Sequence, residues 1–290
     1  MPELPEVETV RLQLEKYLVG HKIESVDIKY RNFEGDPKLL AGSKVKSIRR
    51  FGKVLSLDLD SGYCLVIHIK LTGQLIYRGP NFKSISKLSK KIVGGVPGVH
   101  THVIFNLDKG GKLYYNDVRR FGWIKIIQSS KLKIDNNFLS KLGPEPLVNP
   151  DCPPEDVLTQ EKFGEILSKT SRAIKVVLMD QEKIGGIGNI YANDALWLAK
   201  VDPKTPAKRL DNKAAGQLFD AIHTVLTAGL KYGGASELAF VTPDGQEGQY
   251  QNHTLAYGHE GHPCQRCHKS MIKKYFLSGR GTYWCPTCQS

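Results

Sequence analysis

The stretch Val54-Leu55-Ser56-Leu57-Asp58-Leu59-Asp60-Ser61-Gly62-Tyr63-Cys64-Leu65-Val66-Ile67-His68-Ile69 contains two apolar runs joined by a short polar segment. Successive side chains of a β-strand point to opposite faces, so the alternation in the first run indicates a strand. The second run is short, continuous and rich in β-branched residues, which also favours a strand. Asp60-Ser61-Gly62 is typical of a hairpin turn. We therefore predict a β-hairpin here.

Further strand-like segments surround this hairpin. They are residues 26–28, 45–48, 102–105 and 123–126. Lys109-Gly110-Gly111 supplies a second hairpin turn. Ahead of the strands, residues 5–19 carry apolar side chains at helical spacing. Many short strands behind one leading helix predict a β-sandwich or flattened barrel.

The pattern changes after residue 130. Leu142-Gly143-Pro144-Glu145-Pro146-Leu147 interrupts the periodicity and is typical of an interdomain linker. Helical patterns follow at about 154–168, 171–182, 189–199 and 211–231. Asp211 is a candidate cap for the last of these helices, and Gly233-Gly234 ends it.

The chain is strongly basic, with a net charge of +12 and a pI near 9.3. Such a charge favours a polyanionic partner such as nucleic acid, although many basic proteins bind other partners. The lysine-rich loop at 79–98 is interpreted as a solvated surface insertion. No apolar run approaches the roughly 18 residues of a membrane span. The acidic, proline-broken start differs from a signal peptide, so we expect a cytoplasmic location and no membrane partner.

Four cysteines form two Cys-x2-Cys pairs, Cys264 with Cys267 and Cys285 with Cys288, separated by 17 residues. This spacing is typical of a structural zinc site with four thiolates. Disulfides or free thiols are the alternatives, and disulfides fit poorly with a chain that lacks an export signal. His268 is a competing ligand, although four thiolates already complete the shell. We predict one structural Zn²⁺ that stabilises the fold of a basic hairpin. The remaining cysteines are predicted to be inert and are Cys64 and Cys152.

Three glycines in Gly185-Gly186-Ile187-Gly188 separate two helical patterns. Glycine permits positive φ and close approach of the backbone to a partner. Asn189 is the predicted cap of the second helix, and backbone N–H groups at a helix start suit DNA phosphate. The alternative is an ordinary turn.

Four segments combine into one pattern. They are Pro2-Glu3-Leu4-Pro5-Glu6-Val7-Glu8-Thr9-Val10, Asn116-Asp117-Val118-Arg119-Arg120-Phe121-Gly122, residues 180–197 and residues 264–288. In this order they resemble the N-terminal signature, DNA-wedge loop, helix–two-turns–helix element and zinc finger of the bacterial formamidopyrimidine-DNA glycosylase family. The resemblance covers essentially the whole chain. It implies a bifunctional glycosylase and AP lyase of base excision repair, which removes oxidised purines (8-oxoguanine and formamidopyrimidines) from double-stranded DNA.

The resemblance also implies an α+β fold and a division into domains. We expect an N-terminal catalytic β-sandwich domain at 1–130 with its leading helix, followed by a linker at 131–153. A helix–two-turns–helix DNA-binding domain at 154–240 and a remainder with the zinc finger at 241–290 complete the chain. The family leads us to expect a monomer in a bacterial cell, associated with the nucleoid.

The resemblance assigns catalysis to Pro2, Glu3, Lys53 and Arg280. After removal of Met1, Pro2 would present a secondary amine. An α-amine is roughly 15% unprotonated at pH 7, against well under 0.1% for an ordinary lysine, so it is the better nucleophile. Glu3 would assist opening of the deoxyribose, and Lys53 matches the catalytic lysine of a hairpin. Arg280 matches the finger arginine that contacts phosphate near the lesion. From the residues alone, an inert N-terminus and a surface lysine remain alternatives.

Residues for binding follow from the same resemblance. An enzyme that acts on a stacked base must extrude it and fill the gap. Arg119 and Phe121 match two of the residues that fill it, and Leu71 stands where the family has a methionine. The predicted phosphate contacts are His100, Lys175 and Asn189, and Arg119 is also predicted to bind DNA. His102 is the nearby alternative to His100 and would point into the sheet.

One segment departs from the family. Residues 233–240 correspond to the loop that closes over the extruded base, and they lack the common Thr-Leu-Arg-Asp stretch. Two alternatives therefore remain. One is a glycosylase of the endonuclease VIII branch that prefers oxidised pyrimidines, and the other is a non-catalytic zinc-ribbon protein that binds nucleic acid.

Overall fold

A computed structural model describes residues 1–79, 82, 88–147 and 153–289. Parts of the lysine-rich loop and of the predicted linker, together with Cys152, lie outside these ranges. The chain forms two compact units. Unit one contains Met1–Ser140 and Tyr232–Gln251, and unit two contains Lys141–Lys231 and Asn252–Ser290. The expected domain limits at 130, 153 and 240 stay a prediction.

Unit one begins with helix α1, Leu4–Leu18. Pro5 lies in the first turn, where its missing N–H removes no bond within the helix. The Glu6 carboxylate accepts a hydrogen bond of 2.7 Å from the backbone N–H of Glu3, as in a capping box. Leu4, Val7, Val10, Leu14 and Leu18 are buried along one face. The helix predicted at 5–19 is confirmed within one residue at each end.

Two sheets follow. Their strands are β1 Ile23–Ile28, β2 Phe33–Glu34, β3 Val45–Phe51, β4 Val54–Leu59, β5 Tyr63–His68, β6 Gly73–Arg78, β7 Thr101–Leu107, β8 Lys112–Asp117 and β9 Trp123–Gln128. The first sheet has the order β1-β7-β8-β6 and the second β2-β9-β5-β4-β3. Only the β2–β9 pair is parallel among these described strands. A short helix α2, Leu132–Asp135, follows β9.

The two sheets and α1 enclose one hydrophobic core. Helix α1 contributes Val10 and Leu14, the first sheet Phe105 and Tyr115, and the second sheet Ile67. The expected β-sandwich with a leading helix is therefore confirmed. The predicted hairpin at 54–69 is also confirmed, since β4 pairs antiparallel with β5.

The wedge loop is shorter than predicted. Asn116 and Asp117 belong to β8 and pair with β6, so they are strand residues rather than loop residues. Both are almost completely buried, at 2% and 0% exposure. The loop between β8 and β9 therefore begins at Val118.

Unit two contains the remaining α-helices of the described residues. They are α3 Gln160–Ser168, α4 Ile174–Leu178, α5 Asn189–Leu198 and α6 Asn212–Lys231. Two predicted helices were too long, because Thr159 caps α3 and Ala173 pairs with Pro206 ahead of α4. The Asp211 cap is confirmed, since its carboxylate accepts from the Ala214 N–H at 2.7 Å. In the described part of the chain, no helix combines the length and apolar content that crossing a membrane needs.

The finger hairpin consists of β10 Lys273–Leu277 and β11 Arg280–Trp284. Ser278 and Gly279 join the strands with φ values of 48° and 72°, as a type I′ turn requires. The core beneath the hairpin is small and contains Trp197, Ala256, Ile272 and two of the cysteines. So few apolar residues stabilise this fold weakly, which is the reason to expect a metal staple.

Candidate functional site

The start of α1 brings acidic residues and Pro2 together in unit one. Pro2 is buried directly ahead of the helix, and Glu3 is 3% exposed. Glu6 is 1% exposed and accepts one hydrogen bond from Glu3 and another, of 2.8 Å, from the N–H of Ala235. Gly234 packs so closely on Glu6 that a Cβ atom would lie 2.7 Å from Glu6 Cγ. The N-terminal segment is thus held by a second segment, at 234–235.

Lys53 lies on the two-residue turn between β3 and β4 and is only 3% exposed. Gly52 has φ of 55° at the first turn position, where a type II′ turn requires a positive value. The Arg50 guanidinium donates to the Gly52 carbonyl at 3.1 Å and to the Glu8 carboxylate at 2.7 Å. Arg11 forms a second buried ion pair with Glu8 at 2.8 Å. The turn that carries Lys53 is therefore tied to α1.

His68 ends β5 and lies among positive charges. It is 3% exposed, and its Nδ1 accepts from the Lys70 N–H at 3.1 Å. Burial, followed by the charges of Lys70 and Lys53, holds the pKa of His68 well below 6.5. The imidazole is therefore neutral at pH 7 and does not repel the Lys53 ammonium.

Asp117 organises the loop that follows β8. Its fully buried carboxylate accepts hydrogen bonds from Thr72 Oγ1 at 2.5 Å and from the Gly122 N–H at 2.9 Å. The hydroxyls of Tyr30 and Tyr115 donate to the same carboxylate at 3.1 and 3.3 Å. Burial raises the pKa of Tyr30 to about 12, so its hydroxyl keeps the proton that it donates. One carboxylate thus fixes both ends of the 118–122 loop.

The predicted wedge residues lie on two neighbouring loops. Thr72 Oγ1 accepts from the backbone N–H of Arg119 at 3.0 Å, which brings the loop of Leu71 beside that of Arg119. The Arg119 guanidinium lies 4.7 Å from the centre of the Phe121 ring, and Phe121 is 51% exposed. Leu71 is half-buried. Arg119 and Phe121 thus form an exposed cationic and apolar pair, and the loop that carries Leu71 lies beside them.

The two histidines at the start of β7 differ in their surroundings. His102 is 4% exposed, and its Nε2 lies 2.9 Å from the Asp117 carbonyl. It stacks on Tyr30 and so points into the sheet. His100 is half-buried, and its carbonyl accepts from the Asp117 N–H at 3.0 Å. Of the pair, His100 is the one with an accessible side chain.

In unit two, the glycine-rich turn leads into α5. Gln181 fixes this turn, because its amide donates to the Ile187 carbonyl at 2.8 Å and accepts from the Gly186 N–H at 3.0 Å. Asn189 is the first helical residue, and Gly188 occupies the cap position. The prediction that Asn189 caps the helix is therefore wrong. Its carbonyl accepts from the Asn193 side chain at 2.6 Å, and its own side chain is half-buried.

Lys175 and Arg280 line one cavity of about 340 Å³, which Arg172 and Asp180 also line. Lys175 is 1% exposed, and its ammonium donates to the Gly281 carbonyl at 2.7 Å and to Thr282 Oγ1 at 2.8 Å. Arg280 is exposed beside the hairpin turn. The cavity is rich in cations, but the Lys175 ammonium also holds the finger backbone.

The four finger cysteines form a compact cluster in which all sulfurs lie within 4.8 Å of one another. Cys264 Sγ lies 3.9 Å from Cys288 Sγ, and Cys267 Sγ lies 3.7 Å from Cys285 Sγ. Sulfurs of a disulfide would be only ~2.05 Å apart. Tetrahedral coordination with bonds of about 2.3 Å places sulfurs roughly 3.8 Å apart. The four thiolates can therefore hold a metal ion, as predicted.

Comparison with known proteins identifies this arrangement. Residues 1–124 match the formamidopyrimidine-DNA glycosylase N-terminal domain, and residues 142–240 match the formamidopyrimidine-DNA glycosylase H2TH domain. The chain belongs to the formamidopyrimidine-DNA glycosylase family. A family member from Pelotomaculum thermopropionicum is 36% identical over 295 residues, which is 100% of this chain and 99% of that relative.

Solved structures of the family extend the likeness to the fold. A Lactococcus lactis Fpg mutant in complex with DNA containing Fapy-dG is 33% identical, with a TM-score of 0.83 and 100% of both chains covered. Wild-type Lactococcus lactis Fpg with DNA containing an oxidised pyrimidine is 34% identical, with a TM-score of 0.82 and the same coverage. The expected fold and the expected class of base-excision repair enzyme are confirmed.

Sequence reasoning missed the residues that support the site. The wedge motif contains Asp117 but gives it no role, and the pattern around β3 gives none to Arg50. Both are charged residues in strands with buried neighbours, and a buried charge is rare unless it is paired. The sequence shows charged residues at these positions, but it shows neither their burial nor their partners.

Proposed function

We propose that this protein is a bifunctional DNA glycosylase and AP lyase that excises oxidised purines from double-stranded DNA, with Pro2 as its nucleophile. The setting of Pro2 carries the proposal. A residue that can provide a secondary amine lies directly ahead of α1 and is followed in sequence by Glu3, which is buried. Lys53 is buried on a turn tied to the same helix through Arg50 and Glu8. This burial argues against an ordinary surface lysine.

The chemistry begins when the Pro2 amine attacks C1′ of the damaged nucleotide, after Met1 has been removed. The bond from C1′ to the base breaks, and the base leaves with its electron pair and takes up a proton. Opening of the sugar ring transfers a proton to O4′, for which Glu3 is the proposed donor, and the amine loses its N–H proton. The product is an iminium, whose nitrogen has no proton to lose.

The iminium then drives strand cleavage. It withdraws electrons from C2′, so the C2′ proton is lost while the C3′–O bond breaks and the 3′ phosphate leaves. A second elimination releases the 5′ phosphate, for which we assign a supporting contact to Arg280. Hydrolysis of the remaining iminium by water gives an aldehyde at C1′ and regenerates the Pro2 amine. We assign Lys53, a buried cation, to the glycosylase step, in which the damaged base leaves.

The binding residues divide into two groups. Leu71, Arg119 and Phe121 fill the gap left by the extruded base, and Arg119 also contacts DNA. His100, Lys175 and Asn189 contact phosphates, which position the duplex without reading its sequence. For Lys175, this role is shared with its hydrogen bonds to the finger.

We infer that the ion held by the four cysteines is Zn²⁺. Thiolates in a closed tetrahedral set are the ligands of structural zinc. When bound, the ion supplies folding free energy and no catalysis, because no coordination position is open. We also infer that the enzyme acts as a monomer in the bacterial cytoplasm, at the nucleoid.

Covalent trapping on lesion duplexes tests this function. With borohydride present, DNA containing 8-oxoguanine or formamidopyrimidine opposite cytosine should become linked to the protein. This should occur faster than with DNA containing thymine glycol, and the linked peptide should begin at Pro2. The covalent link forms because borohydride reduces the iminium to a stable amine. A relative has been solved in complex with DNA containing an oxidised pyrimidine. The test must therefore compare DNA with purine lesions and DNA with pyrimidine lesions. The opposite ranking would favour the endonuclease VIII-like alternative, and a protein that only binds nucleic acid would give no covalent product.

The proposed wedge role predicts that loss of a wedge residue lowers the rate of lesion excision more than it lowers the affinity for DNA. Arg119→Ala and Phe121→Ala should each lower the rate of lesion excision by roughly tenfold or more, with little change in affinity for undamaged duplex. Unstacking costs about a few kcal/mol per base step, and each 1.4 kcal/mol left uncompensated is about tenfold. Excision rates and dissociation constants measured on matched duplexes check this.

Asn189→Ala is the matched control, because a phosphate contact is lost equally on every duplex. It should weaken binding to damaged and undamaged DNA alike. If Asn189→Ala and Arg119→Ala reduced discrimination equally, this division of roles would be wrong.

A further inference from the structure

Residues 88–92, here named the brace, are bonded to the segment that follows α6 in unit one. The Lys91 ammonium donates to the Ser236 carbonyl and pairs with the Glu247 carboxylate at 2.6 Å. Ser89 Oγ donates to the other oxygen of Glu247 at 2.6 Å. These two hydrogen bonds, of which that from Lys91 is the stronger, lower the pKa of Glu247, which therefore stays ionised at neutral pH. The brace thus makes a charge-assisted contact with this segment.

Backbone contacts strengthen this connection. The Ser89 N–H donates to the Gly245 carbonyl at 3.0 Å. Gln74, which is 4% exposed, donates from one amide nitrogen to the Lys91 carbonyl at 2.9 Å and to the Ala239 carbonyl at 2.7 Å. A strand residue of the sandwich therefore holds the brace and the 235–241 loop together.

Apolar contacts also contribute to this junction between the brace and the segment that follows α6. Ile92 of the brace is 6% exposed and packs with Val241, Ile76 and Tyr114. Leu88 lies against Gly245, where an added Cβ would be 2.5 Å from its Cδ2 atom. Gly245 has φ of 91°, so a side chain there would be both strained and blocked. The junction is a packed structure and not a loose surface contact.

The 235–241 loop is also fixed at its beginning. The Ala235 N–H is bound by Glu6, which also binds the Glu3 N–H. Ser236 is 2% exposed and donates its hydroxyl to the Phe240 carbonyl at 2.8 Å. Between these fixed points Leu238 is 62% exposed. The loop thus lies beside the N-terminal end of α1 with both ends held and its tip presented outwards.

We propose that Ser89, Lys91 and Glu247 are positioning residues that hold the 235–241 loop ready to receive the extruded base. This rests on the proposed function, since it requires a base to be released beside Pro2. A loop ordered during folding loses its conformational entropy before DNA binds, so less binding free energy is lost on ordering it. The brace therefore sets how efficiently a damaged base is excised. An abasic site has no base to receive and does not depend on the brace.

Lys91→Ala tests the brace, with Lys90→Ala as a control that matches the charge change. Lys90 is exposed and has no hydrogen bond or ion pair among the described residues. In Lys91→Ala, single-turnover excision of 8-oxoguanine should fall roughly tenfold, since a misplacement of about 1 Å can cost up to a hundredfold. Borohydride trapping on a pre-formed abasic site should stay within about twofold of the unmodified protein. Lys90→Ala should change neither rate, and Lys91→Arg should recover most of the excision.

The outcomes separate this inference from the proposed function. Excision by Lys91→Ala at the rate of the unmodified protein would overturn the proposed role of the brace. Equal losses of excision and of abasic trapping in a folded variant would also overturn it. Ser89→Ala, which removes one bond to Glu247, supplies a milder variant and should reduce excision alone. If the unmodified protein traps no abasic DNA, it is the proposed function that fails.

Discussion

Retaining one residue ahead of Pro2 should abolish covalent trapping and strand cleavage. The extension converts the Pro2 nitrogen from a secondary amine into a tertiary amide, whose lone pair is delocalised and cannot attack C1′. Gel assays for cleaved strand and for borohydride-linked protein measure both losses. The duplex affinity should persist, because the basic surfaces are unchanged and attraction to phosphate depends on them.

Lys53→Ala supplies the contrast. It should weaken base excision more than cleavage of a pre-formed abasic site, since Pro2 remains free to attack the exposed aldehyde. Both variants should keep the cooperative unfolding of unit one. If the trapped peptide contained Lys53 instead of Pro2, lyase chemistry would stand but the nucleophile would be misassigned.

Metal removal should have the second largest effect, through loss of the finger. Structural zinc supplies roughly 10–16 kcal/mol in small finger peptides at pH 7, and the core around Cys264 and Cys285 is too small to replace it. Chelation under denaturing conditions, or Cys285→Ser, should therefore unfold the hairpin and sharply weaken DNA binding. Elemental analysis of freshly purified protein should find one zinc per chain, and titration of duplex DNA should report the lost affinity.

Cys64→Ala is the matched control for the loss of a thiol. Cys64 is fully buried in unit one, and it donates to the Ile127 carbonyl at 3.3 Å. Burial raises the pKa of its thiol, so it is a poor metal ligand. The variant should keep one zinc and full DNA affinity. Fresh protein without zinc and with all four finger thiols reactive would contradict the metal prediction.

Local sequence patterns were sufficient for much of the fold. The alternation at 54–59 and the turn at 60–62 concern neighbours in sequence, so the hairpin could be predicted without tertiary information. The same holds for α1 and for the stripe of α6, whose buried residues recur every three or four positions. The cysteine pairs also required only spacing. Their tetrahedral arrangement follows from the requirements of one ion.

Contacts between distant segments could not be predicted in this way. The Glu8–Arg50 pair joins residues 42 positions apart, and no periodicity indicates which charge meets which. In the brace, Lys91 pairs with Glu247, 156 positions away. This contact joins the brace to a segment that follows α6 in sequence and belongs to unit one. The short α4 is a further case. Its pattern suggested a longer helix, but the pairing of Ala173 with Pro206 holds the preceding backbone extended.

Lys175 makes the finger inseparable from the helices on which it is built. Its ammonium binds the backbone of the hairpin at Gly281, and Asn193 accepts from the N–H of Tyr283 at 2.8 Å. A finger grafted from another protein would have to offer a carbonyl and a hydroxyl at the same places. Without them, a buried cation would lose two acceptors, which costs more than the loss of an exposed contact. The residues at 175, 193 and 281–283 are therefore expected to be inherited as a set.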